Sequence, residues 1–413
     1  MMDGVCMDLV WKRIQPFPPL AAITESLRDY RYLETQLMEM LAGWTLFTPE
    51  TSVKIMLGEH LYEDAEHVDG LRARLLELRA RQEKDSPPSD ELGRLCEEIW
   101  KAPDTATRLA GAYLLLKPRL AASYMALARA TEPLVDAPTA RLLSRIANQE
   151  SRQVDEGASQ LERLTSTVAA RESVAAWLKK LAELFQASGG IHARGERGRY
   201  QFKKEFPRGI VGAREKPFWY AADPSELPKF QPFTSPAGKI LAMHTLLNGE
   251  IGTVERMAKI ITEFPDLPWA MRFALARQAW DEARHIGIVA STVRELGGEW
   301  GLYPFNCTIW KVHVDRPDPL ERLALGNAKF EGQLCSQLRD WIAICRADGS
   351  HTLGEILDFL LADELPHVRN GKQWLQVVAR NDPKRQESVL AWADAQAARL
   401  MEKFDATSAV REH

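Results

Sequence analysis

Cysteine is scarce in this chain. Five residues in 413 (Cys6, Cys96, Cys307, Cys335 and Cys345) stand far apart, with no Cys-x-x-Cys among them. That spacing excludes a disulfide framework and thiolate-ligated zinc or iron–sulfur sites, and it fits a reducing compartment with idle thiols. Long apolar runs are missing too: no stretch of about 20 such residues occurs, so no membrane-spanning segment is expected. The opening residues, MMDGVCMDLVWKRIQPFPP, lack the apolar core and small-residue cleavage site of a secretory signal, and the expected location is the cytoplasm. There is no excess of one charge sign either. Lys and Arg number 53 against 57 Asp and Glu, a net charge of −4. This does not suit a nucleic-acid scaffold or a basic membrane-surface protein. Period-two alternation is nearly absent, so little sheet is expected.

What the chain does have is helical periodicity. Apolar residues make up 45% and charged residues 27% of the sequence, the balance of a globular protein. At this length two domains are the natural expectation. Apolar positions three and four apart predict helices over roughly 20–47, 50–83, 89–100, 104–131, 137–165 and 170–187. They predict a second set over roughly 235–264, 267–296, 318–347, 352–379 and 384–405. Each half thus offers four long helices plus an extra one or two, which predicts an all-α fold of two four-helix bundles in tandem. The expected division is 1–187, a connecting segment 188–235, and 236–413. The connecting segment opens basic (GGIHARGERGRYQFKKEFPRG) and ends rich in Pro and aromatics. It reads as a linker whose aromatics Phe218, Trp219 and Tyr220 pack on both halves, with a lid or partner-binding segment as the alternative.

The chemistry concentrates in the second half. In ARQAWDEARHIGIVASTVREL, Glu282 and His285 lie three apart and project from one helix face that is otherwise apolar at Phe273, Ile286 and Val289. A carboxylate on an inward face needs a partner, because an isolated buried charge is heavily penalised. One Glu-x-x-His alone is a weak signal. Here FLLADELPHVRNGKQWL repeats it 82 residues on, with Glu364 and His367. The other two helices each supply one inward Glu: Glu250 in KILAMHTLLNGEIGTVERMAKI and Glu331 in LALGNAKFEGQLCSQL. Two single glutamates and two Glu-x-x-His pairs, one element per helix, form the di-iron or di-manganese ligand set of ferritin-like bundles. Carboxylate and imidazole without thiolate suit iron or manganese. The expected arrangement puts Glu250 and His285 on one ion and Glu331 and His367 on the other. Glu282 and Glu364 bridge the two and carry the catalytic role. Asp281 and Asp363 each precede a bridging glutamate and are expected to accept the second N–H of the histidine of the opposite pair. His244, six residues before Glu250, is a further candidate for the layer around the site. Glu255 competes with Glu250 but lies on a different face, beside Arg256 and Lys259, where a surface role is expected.

HTLLNGEIGTVERM, AWDEARHIGIV, KFEGQL and DELPHVRNGKQWL resemble an uncharacterised ferritin-like domain family related to rubrerythrins and the tRNA-modifying di-iron hydroxylases. FNCTIWKVHVDRPDPLERLAL, with Trp310, resembles a connecting segment of that family. The resemblance covers roughly residues 236–380. It implies a di-metal ferritin-like fold with O2 or peroxide chemistry and supplies no substrate, because members of this superfold differ widely in reaction.

The first half carries an altered echo of the pattern. YEDAEHVDGLRARLLEL parallels WDEARHIGIVASTVREL, setting Asp64 and His67 in the places of Glu282 and His285. ANQESRQVDEG sets Glu150 in the place of Glu364, but Gln153 in that of His367. Counting back 33 residues, the distance from Glu364 to Glu331, lands on Lys117, and Glu34 matches Glu250. An ammonium in a ligand position removes a donor and adds a repelling cation. The first half is therefore expected to be a degenerate, metal-free bundle whose Lys117 is met by Glu34, Asp64 or Glu150. A metal site with altered ligands is the alternative.

The expected function is a non-haem di-iron oxidoreductase that activates O2 to oxidise a small organic substrate by hydroxylation, N-oxygenation or related chemistry. Its cofactors are two iron ions (manganese or a mixed pair fits the same donors), and O2 is the co-substrate. Expected partners are the substrate and an external electron donor, with a homodimer left open and no membrane or nucleic acid. The alternative is a ferritin- or rubrerythrin-like protein for metal handling or peroxide scavenging. Tyr303, Phe305 and Trp310 are expected to serve packing before pocket lining.

Overall fold

The computed structural model describes residues 14–80, 85–192, 196–222, 226–306, 308–379 and 382–409, with the side chains of Thr308 and of residues beyond 400 left aside. Cys6, Cys307 and most of the opening segment lie outside the described residues. The periodic segments are helices. They are α1 (Leu20–Trp44), α2 (Thr51–Glu77), α3 (Asp90–Trp100), α4 (Thr105–Leu109), α5 (Lys117–Ala130), α6 (Pro133–Leu164) and α7 (Val168–Ala187). There follow α8 (Pro236–Glu263), α9 (Trp269–Glu295), α10 (Thr308–His313), α11 (Pro319–Leu323), α12 (Glu331–Asp348), α13 (His351–Ala379) and α14 (Pro383–Ala409). Among the described residues the only extended pairing is one parallel bridge between Tyr220 and Phe305. The fold is all-α.

Local chemistry sets the ends. Ser235 caps α8 by accepting the Gly238 N–H, and Pro236 occupies the first turn, where its missing N–H costs nothing. Beyond α9 the chain turns at Gly297, whose φ of +83° is open to glycine, and the Gly298 N–H reaches back to Val293 O. Gly349, with φ of +82°, ends α12 in the same way.

By its internal contacts the chain divides into two compact units, one of Met1–Met40 and Glu63–Lys203, the other of Leu41–Tyr62 and Lys204–His413. In the first, α5 packs along α6 and α3 against α7, closing over Leu33, Leu37, Leu71, Leu116, Leu120, Leu143 and Ile146. In the second, α8 packs along α9, α12 along α13, and α9 against α13. Its core takes Leu247, Ile251 and Val254 from α8, Ile286, Val289 and Val293 from α9, Leu338 and Ile342 from α12, and Leu357 and Leu360 from α13. Each such side chain contributes about 1.5–3 kcal/mol through removal from water. Glu250, Glu282, His285 and Glu364 fall within these same stripes, so the apolar faces that close the bundle also bury the polar ones.

Two segments depart from the expected helices. Ala110–Leu116 and Ala324–Phe330 are π-helical, so each predicted helix (104–131 and 318–347) is a short α piece, a π segment and a long α piece. Asp104 and Asp318 cap the short pieces through the Thr107 and Leu320 N–H groups. A widened turn needs room, and a glycine on the facing helix provides it. A Cβ at Gly157 would lie 2.2 Å from Tyr113 Cγ, and one at Gly371 would lie 2.6 Å from Asn327 Cβ. The aromatic part of the connecting segment belongs to the core of the second unit. Phe305 N–H donates to Trp219 O (2.8 Å), Ala221 N–H to Phe305 O (3.1 Å), and Phe218 packs edge-on against Phe305. Trp310 likewise packs, donating its indole N–H to Ile210 O. No helix among the described residues is long and apolar enough to cross a membrane.

Candidate metal centre

Four helices of the second unit bring six side chains to one point, every one buried: Glu250 from α8, Glu282 and His285 from α9, Glu331 from α12, Glu364 and His367 from α13. They form two overlapping groups whose candidate donor atoms lie within 4.8 Å of one another: Glu250, Glu282, His285 and Glu364, and Glu282, Glu331, Glu364 and His367. His285 Nδ1 stands 3.3 Å from Glu282 Oε2, 3.4 Å from Glu364 Oε1 and 3.7 Å from Glu250 Oε2. His367 Nδ1 stands 3.2 Å from Glu364 Oε2, 3.3 Å from Glu282 Oε1 and 3.7 Å from Glu331 Oε2. Glu282 and Glu364 each turn one oxygen toward either imidazole, whereas Glu250 and Glu331 each serve one side only.

The outer nitrogens cross over. His285 Nε2 lies 3.3 Å from Asp363 Oδ2, and His367 Nε2 lies 3.4 Å from Asp281 Oδ2. Arg284 donates to both aspartates, at 2.6 Å and 2.7 Å, and Arg277 adds contacts to Asp281. Both guanidinium groups lie over the ring of Trp280, which stacks on Tyr62. The histidine and arginine contacts hold Asp281 far below the usual carboxylate range against the opposing effect of burial. Asp281 thus holds the outer nitrogen of His367, and Asp363 that of His285, so that each Nδ1 faces inward.

Two residues complete the cluster that sequence reasoning missed. The Gln278 amide donates to Glu331 Oε1 (2.8 Å) and accepts from Asn327 (2.6 Å), which also donates to His367 O. Gln278 was findable as a polar residue one turn before Glu282 on an apolar face. Asn327 was not, since only the π segment aims it inward. His244 is buried, but its Nε2 accepts the Tyr303 N–H (3.4 Å) and its ring packs edge-on against Tyr303. Glu255 is fully buried rather than on the surface, paired with Lys54 and Arg214.

The fit of a cationic cofactor can be judged from the donor set. Four carboxylates a few ångströms apart repel by about 4 kcal/mol per pair at an effective dielectric of 20. Accordingly, burial and the neighbouring Glu282 push Glu250 well up, and burial and Glu364 raise Glu331 to about 8. Burial opposes charging of His285 and His367, but the surrounding carboxylates outweigh it and lift both imidazoles well above their ordinary range. Glu282 Oε2, Glu331 Oε2 and His285 Nδ1 are buried with no hydrogen-bond partner. Buried polar atoms are ordinarily satisfied, and orphans of this kind call for an ion or water. The residues present fit two divalent cations, whose four positive charges would match the four carboxylates.

A second cluster lies in the first unit. Glu34, Asp64, His67 and Glu150 are fully buried, and their candidate donor atoms also lie within 4.8 Å of one another. His67 Nδ1 faces Glu34 Oε2 at 3.3 Å and Glu150 Oε1 at 3.4 Å. The Lys117 ammonium donates to Asp64 Oδ1 (2.7 Å) and Glu150 Oε1 (3.0 Å). Gln153 donates to Glu63 Oε2 (2.9 Å).

Fold and site together define an all-α protein with metal-ligand clusters of the ferritin-like, dinuclear kind. The chain belongs to the family described as proteins of unknown function, DUF455, whose profile matches residues 192–406. The match takes in all six residues of the second unit's cluster and none of the first unit's. No curated protein and no solved structure matches the chain.

Proposed function

We propose that Glu250, Glu282, His285, Glu331, Glu364 and His367 hold two metal ions, and that the protein is a non-haem di-iron oxidoreductase that uses O2 to oxidise a small organic substrate. One observation carries the reading: Glu282 and Glu364 each direct one oxygen to either histidine, the disposition of two carboxylates shared between two cations. Iron is the ion of choice for redox work, and manganese or a mixed pair fits the same donors. When bound and reduced, iron supplies the electrons for O2 reduction, which implies an external electron donor. The chain's own residues do the rest. Asp281 and Asp363 hold the outer imidazole nitrogens, and Arg277 and Arg284 keep those aspartates charged. Gln278 orients Glu331, and the apolar stripes of four helices exclude bulk water from the carboxylates.

The same reading takes 1–187 as a second ferritin-like bundle, altered from a tandem copy, with 188–235 connecting it to 236–413. Its support is a common register. Asp104, Tyr113, Lys117, Glu150, Gln153 and Gly157 stand 214 residues before Asp318, Asn327, Glu331, Glu364, His367 and Gly371. The capping aspartate, the π segment and the facing glycine recur in that register. So does half of the crosswise pairing: Glu63, preceding Asp64, holds Gln153 as Asp281 holds His367.

The test is anaerobic reconstitution with ferrous iron followed by O2. Expected are charge-transfer absorbance of an oxidised pair and a lower iron content at this centre in Glu331→Ala. An unaltered content in that variant would remove the ligand assignment. Turnover of iron into a growing ferric store, with no organic compound consumed, would favour the metal-handling alternative.

A further inference from the structure

We infer that the buried cluster Glu34–Asp64–His67–Glu150 is a third metal site of the chain, mononuclear, with the Lys117 ammonium standing where a second ion would be. The inference rests on the dinuclear reading of the second unit for its comparison of donors and of charge. The four residues correspond one for one to Glu250, Glu282, His285 and Glu364, with Asp in place of one Glu, and the imidazole again presents Nδ1 inward. The other half of the dinuclear arrangement is gone, because its two unshared donors have become Lys117 and Gln153.

The two bridging positions show how the exchange works. Asp64 and Glu150 each give one oxygen to the ammonium, at 2.7 Å and 3.0 Å. Their other oxygens, Asp64 Oδ2 and Glu150 Oε2, are buried with no hydrogen-bond partner. Each side chain is fully buried, so bulk solvent does not reach these oxygens. Glu150 Oε1 accepts from the ammonium and also faces His67 Nδ1 at 3.4 Å, and the unpartnered Asp64 Oδ2 and Glu150 Oε2 add two donor oxygens to the same buried cluster.

Charge fixes the stoichiometry. In the second unit four carboxylates match two divalent ions. Exchanging one carboxylate for an ammonium changes the balance by two charges, the charge of one such ion. Three carboxylates, one ammonium and a neutral imidazole therefore match a single divalent cation. Glu34 completes the set as the unshared carboxylate: its Oε1 accepts the Tyr124 hydroxyl, which leaves Oε2 facing His67. The donors are three carboxylate oxygens and one imidazole, which suits iron or manganese.

The experiment is metal counting on the full chain, stripped by chelation, reloaded anaerobically with Fe(II) or with Mn(II), and desalted. Three ions per chain are expected. His67→Ala and Asp64→Asn should each lose one, and Glu331→Ala should leave this ion in place. The double variant Lys117→Glu with Gln153→His should gain one, a result that misfolding does not produce. A wild-type content that His67→Ala and Asp64→Asn leave unchanged overturns the inference, as does a double variant that folds with unchanged helicity and gains nothing. Because the count is read as a difference at His67, it stands or falls separately from the dinuclear reading of the second unit.

Discussion

Metal loading of the second unit should release protons, in a number the geometry sets. Without an ion, Glu250 lies hydrogen-bonded to Glu282 with its pKa pushed well up by burial and by that neighbour. Glu331 rises to about 8 for the same two reasons, burial first and then Glu364. His285 and His367 are held in their charged forms by the carboxylates around them, against the pull of burial. All four groups are thus shifted toward their protonated forms, and each must give up a proton to become a donor, about two protons per divalent ion. The exchange is electroneutral, which is why a water-poor site can bear either state. The sign follows: affinity rises with pH, because the free site binds more protons than the loaded one. The slope is about 100-fold in apparent affinity per ion per pH unit, roughly 2.7 kcal/mol, and it flattens above about pH 8 as Glu331 gives up its proton unaided. Titration calorimetry with Mn(II) at pH 7, in buffers of different ionisation enthalpy, reads the count directly. Release of fewer than about one proton per ion would refute the argument, since it would mean that the donors are already free.

Other expectations can be checked separately. Asp281→Asn should weaken metal binding about 10–100-fold by chelator competition, because it leaves the outer nitrogen of His367 without its carboxylate. Asp363→Asn should cost less, since that side chain is 27% exposed against 6% for Asp281 and water can replace it. Gly371→Ala would set a Cβ 2.6 Å from Asn327 Cβ and 3.3 Å from Ala328 N; the loss should be about 1–3 kcal/mol of stability, measured by denaturant unfolding. Lys54 is fully buried, and burial lowers its pKa to about 8 despite the attraction of Glu255. Between about pH 8 and 10.5 the unfolded chain then binds more protons than the folded one, so this group's contribution to stability rises with pH, by up to about 3 kcal/mol. Lys54→Met should flatten that rise; an unchanged pH profile would count against it.

Much of the site was legible because its signal is made of spacing. Glu282 with His285 and Glu364 with His367 each use a three-residue offset that helix geometry converts into one face, and the flanking Ile286, Val289 and Leu360 identify that face as inward. The crosswise contacts of Asp281 and Asp363 were equally within reach, since a residue beside a ligand in one helix borders the ligand of the next. Glu255 shows where the reasoning ran short. Two neighbouring cations suggested solvent, but its partners Lys54 and Arg214 lie 201 and 41 residues away and no local pattern announces them. The π segments were invisible for another reason. A single widened turn shifts the apolar period by one residue within a long stretch, and a periodic reading absorbs that as noise.

The widened turns recur beside one residue of each cluster. Glu331 and Lys117 each stand immediately after a π segment, whereas Glu364 and Glu150 lie within the α-helices His351–Ala379 and Pro133–Leu164. In the second unit the segment sends Asn327 to Gln278, and Gln278 holds Glu331 in place. In the first, the equivalent residue is Tyr113, whose ring packs against Gly157 and lies near the Lys117 ammonium. The backbone feature is common to both, but the residue it aims inward supports a carboxylate in one unit and faces a cation in the other. From that position the long lysine side chain reaches two carboxylates, Asp64 at 2.7 Å and Glu150 at 3.0 Å. Each unit thus closes over a buried cluster of carboxylates and imidazole beside a π segment, with Glu331 after it in one and the Lys117 ammonium after it in the other.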